Sequence, residues 1–262
     1  MKSDRSGLRV GDLAFPLEVG SPLPSGAARE AVAVLGRRIT NGVYALGQIM
    51  PTESELAVSL DVSRATVRDA IKVLSGKGLV RTARRYGTRV RPLEEWSLLD
   101  ADVVSWHDPA HPRIRQMFAE TTELRCIIEP AAAALAAERA NDDQITRLLE
   151  SAHAMYPGDA DVQAMFTADC IFHATILEAT GNMMMRQLQE IILTMLRISY
   201  EYGVLVVEGE PVSREGHIHV AEAIRSRDAA TAEETMRNML QLNRRTANDF
   251  WQQSRVPLDT TR

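Results

Sequence analysis

The chain has 262 residues, of which 45% are hydrophobic and 25% charged, a composition typical of globular proteins and a length that allows two domains. No apolar run reaches the roughly 18 residues that span a bilayer, and the first residues, MKSDRSGLRVGDLAF, lack the apolar core of a secretory signal. The net charge of −5 is unevenly distributed: residues 29–91 contain 12 Lys and Arg against 5 Asp and Glu, so the rest of the chain is strongly acidic. This division indicates that only the basic segment meets a polyanion.

The N-terminal part of the sequence predicts an extension followed by a helix. Residues 1–27 are rich in Gly and Pro, which favours a flexible extension. A helix is expected over 28–40, ending at Asn41 and Gly42, which are typical of a helix C-terminus.

The segment PTESELAVSLDVSRATVRDAIKVLSGKGLVRTARRYGTRV predicts two short helices and a hairpin. The first helix is ESELAVSL, opened by Thr52 or Glu53. Ser63 is a suitable N-cap for a second helix that extends to about Ser75. Its apolar positions recur at helical spacing, namely Val67, Ala70, Ile71 and Leu74. Short strands at 79–81 and 88–90 flank a basic tip, and together these elements predict a winged helix-turn-helix.

The basic residues of this unit are placed to contact DNA. The N-terminal residues of the second helix can reach base edges in the major groove. Arg64 and Arg68 can bind guanine bidentately or bind phosphate, and the wing tip at 84–87 can reach the backbone or the minor groove. The alternative is a solvated basic face on a structural helix pair.

These motifs resemble the DNA-binding domain of the GntR family of bacterial repressors over about residues 28–91. The shared pattern is a Pro-x-Glu-x-Glu-Leu helix, then Ser-Arg-x-Thr-Val-Arg, then Gly-Leu-Val and a Gly-Thr wing. Ser54 stands where family members often have an Arg, so the operator is expected to differ. By this resemblance, DNA is contacted from the recognition helix and the wing by Ser63, Arg64, Thr66, Arg68, Arg85, Tyr86 and Gly87.

Residues 92–112 form a linker with an unusually apolar composition. It holds Trp96 and Trp106 and several Leu and Val, so we expect a short helix packed against one of the domains. Such a connector can pass a change in the second domain to the first. The pattern Trp-x-x-Leu-Asp-x-Asp-Val-x-x-Trp also resembles the sugar-acid regulators of this family, such as galactonate-operon repressors.

The remainder, residues 113–252, predicts an all-helical domain followed by a tail at 253–262. The breaks ND, PGD, TGN, EGEP and RD separate the helical patterns, and no strand pattern appears. The fold class is therefore mainly α: a winged helix-turn-helix and an antiparallel helical bundle. The predicted helices lie near 113–139, 142–156, 160–180, 182–203, 212–226 and 228–252.

Two cysteines and one arginine lie inside these helical patterns. Cys126 and Cys170 are far apart in sequence, and we expect free thiols in a reducing cytoplasm. Arg125 lies close to the middle of the apolar stripe of its helix, where an unpaired cation is unfavourable. Its partner is either an internal carboxylate or an anionic ligand in a pocket.

Asp169 and His173 share one flank of a helix at a spacing of four, and His217 begins another apolar stripe. Three such donors on two inward faces can bind a divalent metal, with water completing the coordination. The alternative is that each is a hydrogen-bonded core residue.

This region resembles the FCD ligand-binding domain of the FadR branch of GntR regulators, on the segments ELRCIIEPAAAALAAERA, DCIFHATILEATGN and HIHVAEAIRSRD. The resemblance implies that Asp169, His173 and His217 bind a divalent metal, with zinc the expected ion, and that Arg125 faces a carboxylate effector. Met239 occupies the position of a frequent fourth ligand, so either water fills the shell or metal affinity is low. Other candidates for the effector pocket are Ser213 and Arg244.

Together these features predict a homodimeric, ligand-responsive repressor that binds a pseudo-palindromic double-stranded DNA operator. A small carboxylate such as galactonate would release it by shifting an equilibrium between two states. Two alternatives come from other classes. One is a metal-dependent enzyme at Asp169, His173 and His217, for which no base lies at a motif spacing. The other is a DNA-binding protein whose second domain only dimerises.

Overall fold

The computed structural model describes residues 13–17, 23–108, 111–155, 162–201 and 214–253. The chain forms two compact units. One spans Gly20–Ile114, and the other combines Arg115–Arg262 with the N-terminal Met1–Val19. No helix in the described ranges is long and apolar enough to cross a membrane.

The first unit has the predicted winged helix-turn-helix. Its antiparallel hairpin pairs Val80 with Val90 and Ala83 with Gly87. The strands therefore reach further toward the tip than the predicted 79–81 and 88–90, because backbone pairing continues to the turn at residues 84–86. The elements are α1 (Ala27–Thr40), α2 (Glu53–Leu60), α3 (Arg64–Gly76), β1 (Val80–Ala83) and β2 (Gly87–Val90).

Side-chain caps fix where α2 and α3 begin. Thr52 Oγ1 accepts a hydrogen bond from Glu55 N at 3.3 Å, and the Glu55 carboxylate accepts one from Thr52 N at 2.8 Å, which is a capping box. Asp61 takes a left-handed conformation with φ 52° between the helices. Ser63 Oγ then accepts from Thr66 N at 3.0 Å, as its predicted capping role requires.

The apolar stripe predicted for α3 forms the core of this unit. All four of its residues are buried, and they pack with the buried face of α1. Burial of this stripe leaves the opposite, basic side of α3 exposed. The core includes Val32, Leu35, Ile39, Val67, Ala70, Ile71 and Leu74.

The linker packs against the winged helix-turn-helix unit. The sequence predicted that it packs against one of the two domains, and in the structure that domain is the first. It contains a 3-10 turn at Leu93–Glu95 and a short helix, α4 (Ala101–Ser105). Lys77 at the end of α3 is buried, with its Nζ 2.6 Å from Asp100 Oδ2 and 2.8 Å from Asp102 Oδ2. The ring of Trp106 lies so close to α1 that a Cβ added to Gly36 would sit 2.3 Å from it. The linker is therefore an integral part of this unit.

All the regular secondary structure in the described part of the second unit is helical. The prediction of one helix over 182–203 is wrong, because Leu188 N bonds to Met185 O, three residues back, and this tight turn separates α8 from α9. Within the unit, α7 packs on α6 and α9, and α10 packs on α6 and α11. The helices are α5 (Pro112–Arg139), α6 (Asp142–Ala154), α7 (Val162–Ala179), α8 (Met183–Gln187), α9 (Gln189–Glu201), α10 (Arg214–Arg225) and α11 (Ala229–Gln253).

The described part of the N-terminal extension packs on the helical unit rather than lying free. Leu13 is buried, and the backbone N and O of Ala14 both hydrogen bond to the Gln163 side chain at 2.9 Å. The Phe15 ring lies 5.7 Å from that of Phe166 and is covered by the Arg197 guanidinium at 4.6 Å. Residues 13–17 therefore belong to the second unit, although they precede the first in sequence.

Candidate functional site

Arg125 of α5 is buried, as its position in the apolar stripe predicts, and its partner is an internal carboxylate. Its Nε lies 2.6 Å from Oε1 of Glu129, one helical turn later and also buried. Of the two partners expected for Arg125, the structure thus supplies a carboxylate from the chain itself. Glu129 was not among the residues predicted from the sequence, although its i, i+4 spacing from Arg125 on an apolar helix was a usable signal.

The three predicted metal-binding residues come together. Asp169 and His173 of α7 and His217 of α10 are all buried, and one donor atom from each lies within 4.8 Å of the others. Asp169 Oδ1 lies 3.2 Å from His173 Nε2 and 3.4 Å from His217 Nε2. The packing of α7 and α10 in one unit brings these donors from two distant segments to one point.

Glu129 also fixes the orientation of His173. Oε2 of Glu129 lies 2.7 Å from His173 Nδ1, and Arg125 Nη2 lies 3.1 Å from His173 Nε2. In the tautomer with its proton on Nδ1, His173 donates to Glu129, and Nε2 then carries the lone pair that a metal ion beside Asp169 would need. Carboxylates that hold a ligating histidine in this way are common in metal sites.

The donor set fits a divalent metal. Asp169 Oδ1 is buried and accepts no hydrogen bond of good geometry from the described part of the chain, although two imidazole nitrogens lie within 3.4 Å. A buried polar atom without such a bond calls for an explanation, and a cation shared by one oxygen and two nitrogens supplies one. Asp169, His173 and His217 can therefore hold a metal ion.

Met239, at the position of the expected fourth ligand, is buried on α11. It packs against the backbone next to His217, where a Cβ on Gly216 would lie 3.0 Å from Met239 Cγ. Its thioether thus borders the site as an apolar side chain.

The electrostatics of the cluster keep both carboxylates ionised. Burial alone would raise the pKa of Glu129, but Arg125 and His173 lower it to about 2. Burial likewise opposes ionisation of Asp169, and the adjacent imidazoles of His173 and His217 hold its pKa well below the usual range. The pKa of His173 is raised because Glu129 and Asp169 outweigh the effect of burial. Opposite charges thus compensate one another inside the helical unit.

Of the two remaining candidates for the effector pocket, only Arg244 lies among the described residues. Arg244 is exposed on α11, and its positive charge acts on the Cys126 thiol of α5. Burial raises the pKa of that thiol, and Arg125 and Arg244 oppose the shift. Ser213 lies outside the described residues. The structure therefore brings Arg125 together with the metal-binding residues, but it does not place Arg244 among them.

The predicted recognition helix presents its N-terminal side chains to solvent. Arg64 and Arg68 are exposed on α3, and Arg68 Nη2 lies 2.8 Å from Glu53 Oε2 on α2. This hydrogen bond with Arg68 lowers the pKa of Glu53. The hydroxyls of Ser63 and Thr66 lie 2.8 Å apart at the helix start, where free backbone N–H groups favour a phosphate.

The wing tip is exposed and basic. Arg85 and Gly87 both have positive φ, 73° and 76°, which closes the short turn between β1 and β2. The Tyr86 side chain projects into solvent between them. Ser54 is exposed on the first turn of α2 and contributes no charge there. The wing residues and the start of α3 thus form two exposed basic features on one unit.

Two family models match this arrangement. The gntR family of bacterial regulatory proteins matches residues 27–90, and the FCD domain matches residues 120–242. The first match covers the winged helix-turn-helix, and the second contains the whole buried cluster around Arg125.

Relatives match across both units. The galactonate operon transcriptional repressor of Escherichia coli (strain K12) is 29% identical over 215 residues, covering 80% of this chain and 91% of that protein. The HTH-type transcriptional repressor NanR of Cronobacter sakazakii is 28% identical over 210 residues, covering 79% of each. A solved structure of Lar, described as controlling expression of the Listeria monocytogenes agr system, shares the fold, with a TM-score of 0.52 and 18% identity over 87% of this chain and 99% of that one.

These relatives are transcriptional regulators, so the alternative of a metal-dependent enzyme is not supported. The two family matches together cover most of the chain, with the predicted DNA-binding and ligand-binding units in the expected order. The chain belongs to the gntR family of bacterial regulatory proteins and is a DNA-binding transcriptional regulator with an FCD domain.

Proposed function

We propose that the protein represses an operon for the catabolism of a sugar acid or another small carboxylate and leaves its operator when that carboxylate binds the helical unit. The observation that carries the proposal is the buried cluster in which Asp169, His173 and His217 converge beside Arg125. Once it holds a metal ion, a cluster of this kind inside the FCD domain is suited to an anionic ligand. The similarity to a galactonate operon repressor makes aldonates the first ligands to test.

The metal in this proposal is zinc, held by Asp169, His173 and His217. A carboxylate and two imidazoles are ordinary zinc ligands, and three protein ligands leave a coordination position open. When bound, the ion would supply a Lewis acid for a carboxylate oxygen. The chain's own residues orient the ligands, exclude water and compensate the charges.

DNA binding is assigned to the start of α3 and the wing. Arg64 and Arg68 enter the major groove, with Ser63 and Thr66 at the helix start, and Arg85, Tyr86 and Gly87 contact the backbone or the minor groove. The protein acts as a homodimer on a pseudo-palindromic operator, because two-fold proteins bind two-fold sites. The effector releases DNA by binding one of two states of the dimer more tightly than the other.

Calorimetry with a panel of aldonates and uronates tests the effector. The zinc-loaded protein should bind one of them without turnover, and the same compound should lower affinity for a DNA site selected from a random pool. Absence of binding across the panel, with DNA binding intact, would reject the proposed effector class and favour a helical unit that only dimerises.

The metal assignment is tested by His173→Gln. Elemental analysis of the purified protein should show less zinc per chain than wild type, because one of three ligands is lost. His153→Gln is the matched control, since His153 is exposed on α6 away from the cluster. Equal zinc in wild type and His173→Gln would instead support a core histidine.

A further inference from the structure

Glu129 makes two contacts at once. Its Oε1 lies 2.6 Å from Arg125 Nε, and its Oε2 lies 2.7 Å from Nδ1 of His173. The Glu129 side chain is 1% exposed, so bulk solvent does not compete for these contacts. One buried carboxylate therefore joins the cation expected to face the effector to a residue expected to bind the metal.

We propose that Glu129 makes carboxylate recognition depend on the metal. This inference rests on the proposed function, and it assigns to Glu129 the neutralisation of Arg125. While Glu129 holds Arg125, the guanidinium is already paired with a carboxylate from its own helix. The positive charge that attracts the effector is then that of the metal ion.

The charges of the buried groups support this dependence. Without metal, the cluster combines one cation, Arg125, with two carboxylates, Glu129 and Asp169. With neutral histidines its net charge is then −1, which opposes the binding of an anion. A divalent ion beside neutral histidines brings the cluster to a net charge of +1. Because buried charges are weakly screened, this change of sign decides whether a carboxylate binds.

The contact with His173 gives Glu129 a second role, which is to support binding of the metal on which carboxylate recognition depends. By accepting from Nδ1, the carboxylate keeps Nε2 facing Asp169 and His217, where the metal would lie. It also makes the imidazole a more basic ligand. Glu129 is thus a positioning residue for the metal as well as the counterion of Arg125.

Glu129→Gln in the full-length protein removes the negative charge but keeps the shape of the side chain. Its amide oxygen can still accept a hydrogen bond from His173. The probes are zinc alone and D-galactonate, titrated with zinc-loaded and EDTA-treated protein. We expect zinc affinity to fall about 10-fold to 100-fold, as for other residues that support a metal ligand. We expect D-galactonate to bind the EDTA-treated variant at least about tenfold more tightly than EDTA-treated wild type, because Arg125 has lost its internal carboxylate.

The control is Glu178→Gln, which removes one negative charge from the same helical unit where Glu178 pairs with Arg147 near the surface. It should change neither titration. Glu129→Asp keeps the charge, so its D-galactonate binding should remain metal-dependent. A gain of metal-free binding in Glu129→Gln is a result that simple misfolding does not produce.

The outcomes distinguish this inference from the proposed function. Unchanged zinc affinity in Glu129→Gln overturns the inference, and so does metal-free D-galactonate binding by wild type or by Glu129→Asp. If zinc-loaded wild type does not bind D-galactonate, the proposed effector loses its first candidate. The zinc titration alone then decides whether Glu129 supports the metal.

Discussion

The two units contain the same kind of ion pair in opposite surroundings. In the winged unit, Arg68 Nη2 lies 2.8 Å from Glu53, and the two side chains are 55% and 31% exposed. In the helical unit, Arg125 Nε lies 2.6 Å from Glu129, and the side chains are 8% and 1% exposed. The distances are nearly equal, so burial is the main difference between the pairs.

That difference assigns the two arginines different functions. An exposed pair contributes little to stability, so Arg68 can leave Glu53 and bind a phosphate or a guanine at little cost. A buried pair is costly to break, because the remaining charge is left in a medium of low polarity. Arg125 therefore stays paired with Glu129. The positive charge that differs between the metal-free and the metal-loaded site must then come from the metal ion.

Removing Arg125 should have the largest effect on folding. Arg125→Met leaves Glu129 buried without its cation, and we expect the free energy of unfolding of the helical unit to fall by about 3–5 kcal/mol. Urea unfolding followed by circular dichroism measures it. Arg147→Met, which breaks the more exposed pair with Glu178, should cost less than about 1 kcal/mol. Equal losses in the two variants would contradict the distinction based on burial.

Lys77 provides an intermediate case. Lys77→Met leaves Asp100 and Asp102 without their cation, but these carboxylates keep 14% and 23% exposure, so we expect a loss of roughly 2 kcal/mol. Hydrogen exchange should show α4 opening more often, because the Lys77 contacts tie the linker to α3. No change in exchange at α4 would show that Trp106 and the apolar contacts hold the linker in place without the Lys77 ion pairs.

The effect of Lys77 should also depend on pH. Burial lowers its pKa, but the hydrogen bonds and charges of Asp100 and Asp102 raise it above the ordinary value overall. A raised folded-state pKa contributes stability that is fully present below the unfolded pKa, about 10.4, and is lost as pH rises through the folded pKa. The difference between wild type and Lys77→Met should therefore shrink in unfolding experiments above about pH 10.4.

Arg68→Ala should affect DNA binding rather than stability. Because the pair with Glu53 is exposed, the melting temperature should not change measurably. If Arg68 contacts a base, operator affinity should fall about tenfold or more in a fluorescence anisotropy titration. Unchanged operator affinity would show that Arg68 does not contact a base. A large loss of stability would show that the ion pair between Arg68 and Glu53 cannot separate at little cost.

The sequence predicted the winged unit more completely than the buried site, for a physical reason. The caps Thr52 and Ser63 and the apolar stripe of α3 act within a few residues, so spacing alone places α2 and α3. The convergence of Asp169 with His217 depends on how α7 packs beside α10, and the resemblance to the FCD domain anticipated it. The pairing of Glu129 with Arg125 could have been predicted from their spacing within α5, but its contact with His173 becomes visible only when α5 and α7 are seen together.

The division at Leu188 and the docking of residues 13–17 were missed for related reasons. A single tight turn at Leu188 does not interrupt the apolar pattern that predicted one helix. Phe15 lies in a stretch rich in Gly and Pro, and only the tertiary structure reveals its aromatic partner, Phe166.

Arg85 offers the smallest and most selective test, because its backbone and side chain have opposite effects. Its φ of 73° suits glycine, so Arg85→Gly should stabilise the winged unit slightly, by about half a kcal/mol, since strain relief exceeds the added chain entropy. Losing the cation should weaken operator binding and reduce the salt dependence of affinity by the equivalent of about one phosphate contact.

Arg84→Gly is the matched control: it removes the same charge at a position without positive φ, so it should weaken DNA binding without stabilising the unit. If Arg85→Gly binds the operator with the salt dependence of wild type, the exposed wing contributes shape rather than charge, and DNA binding depends on α3.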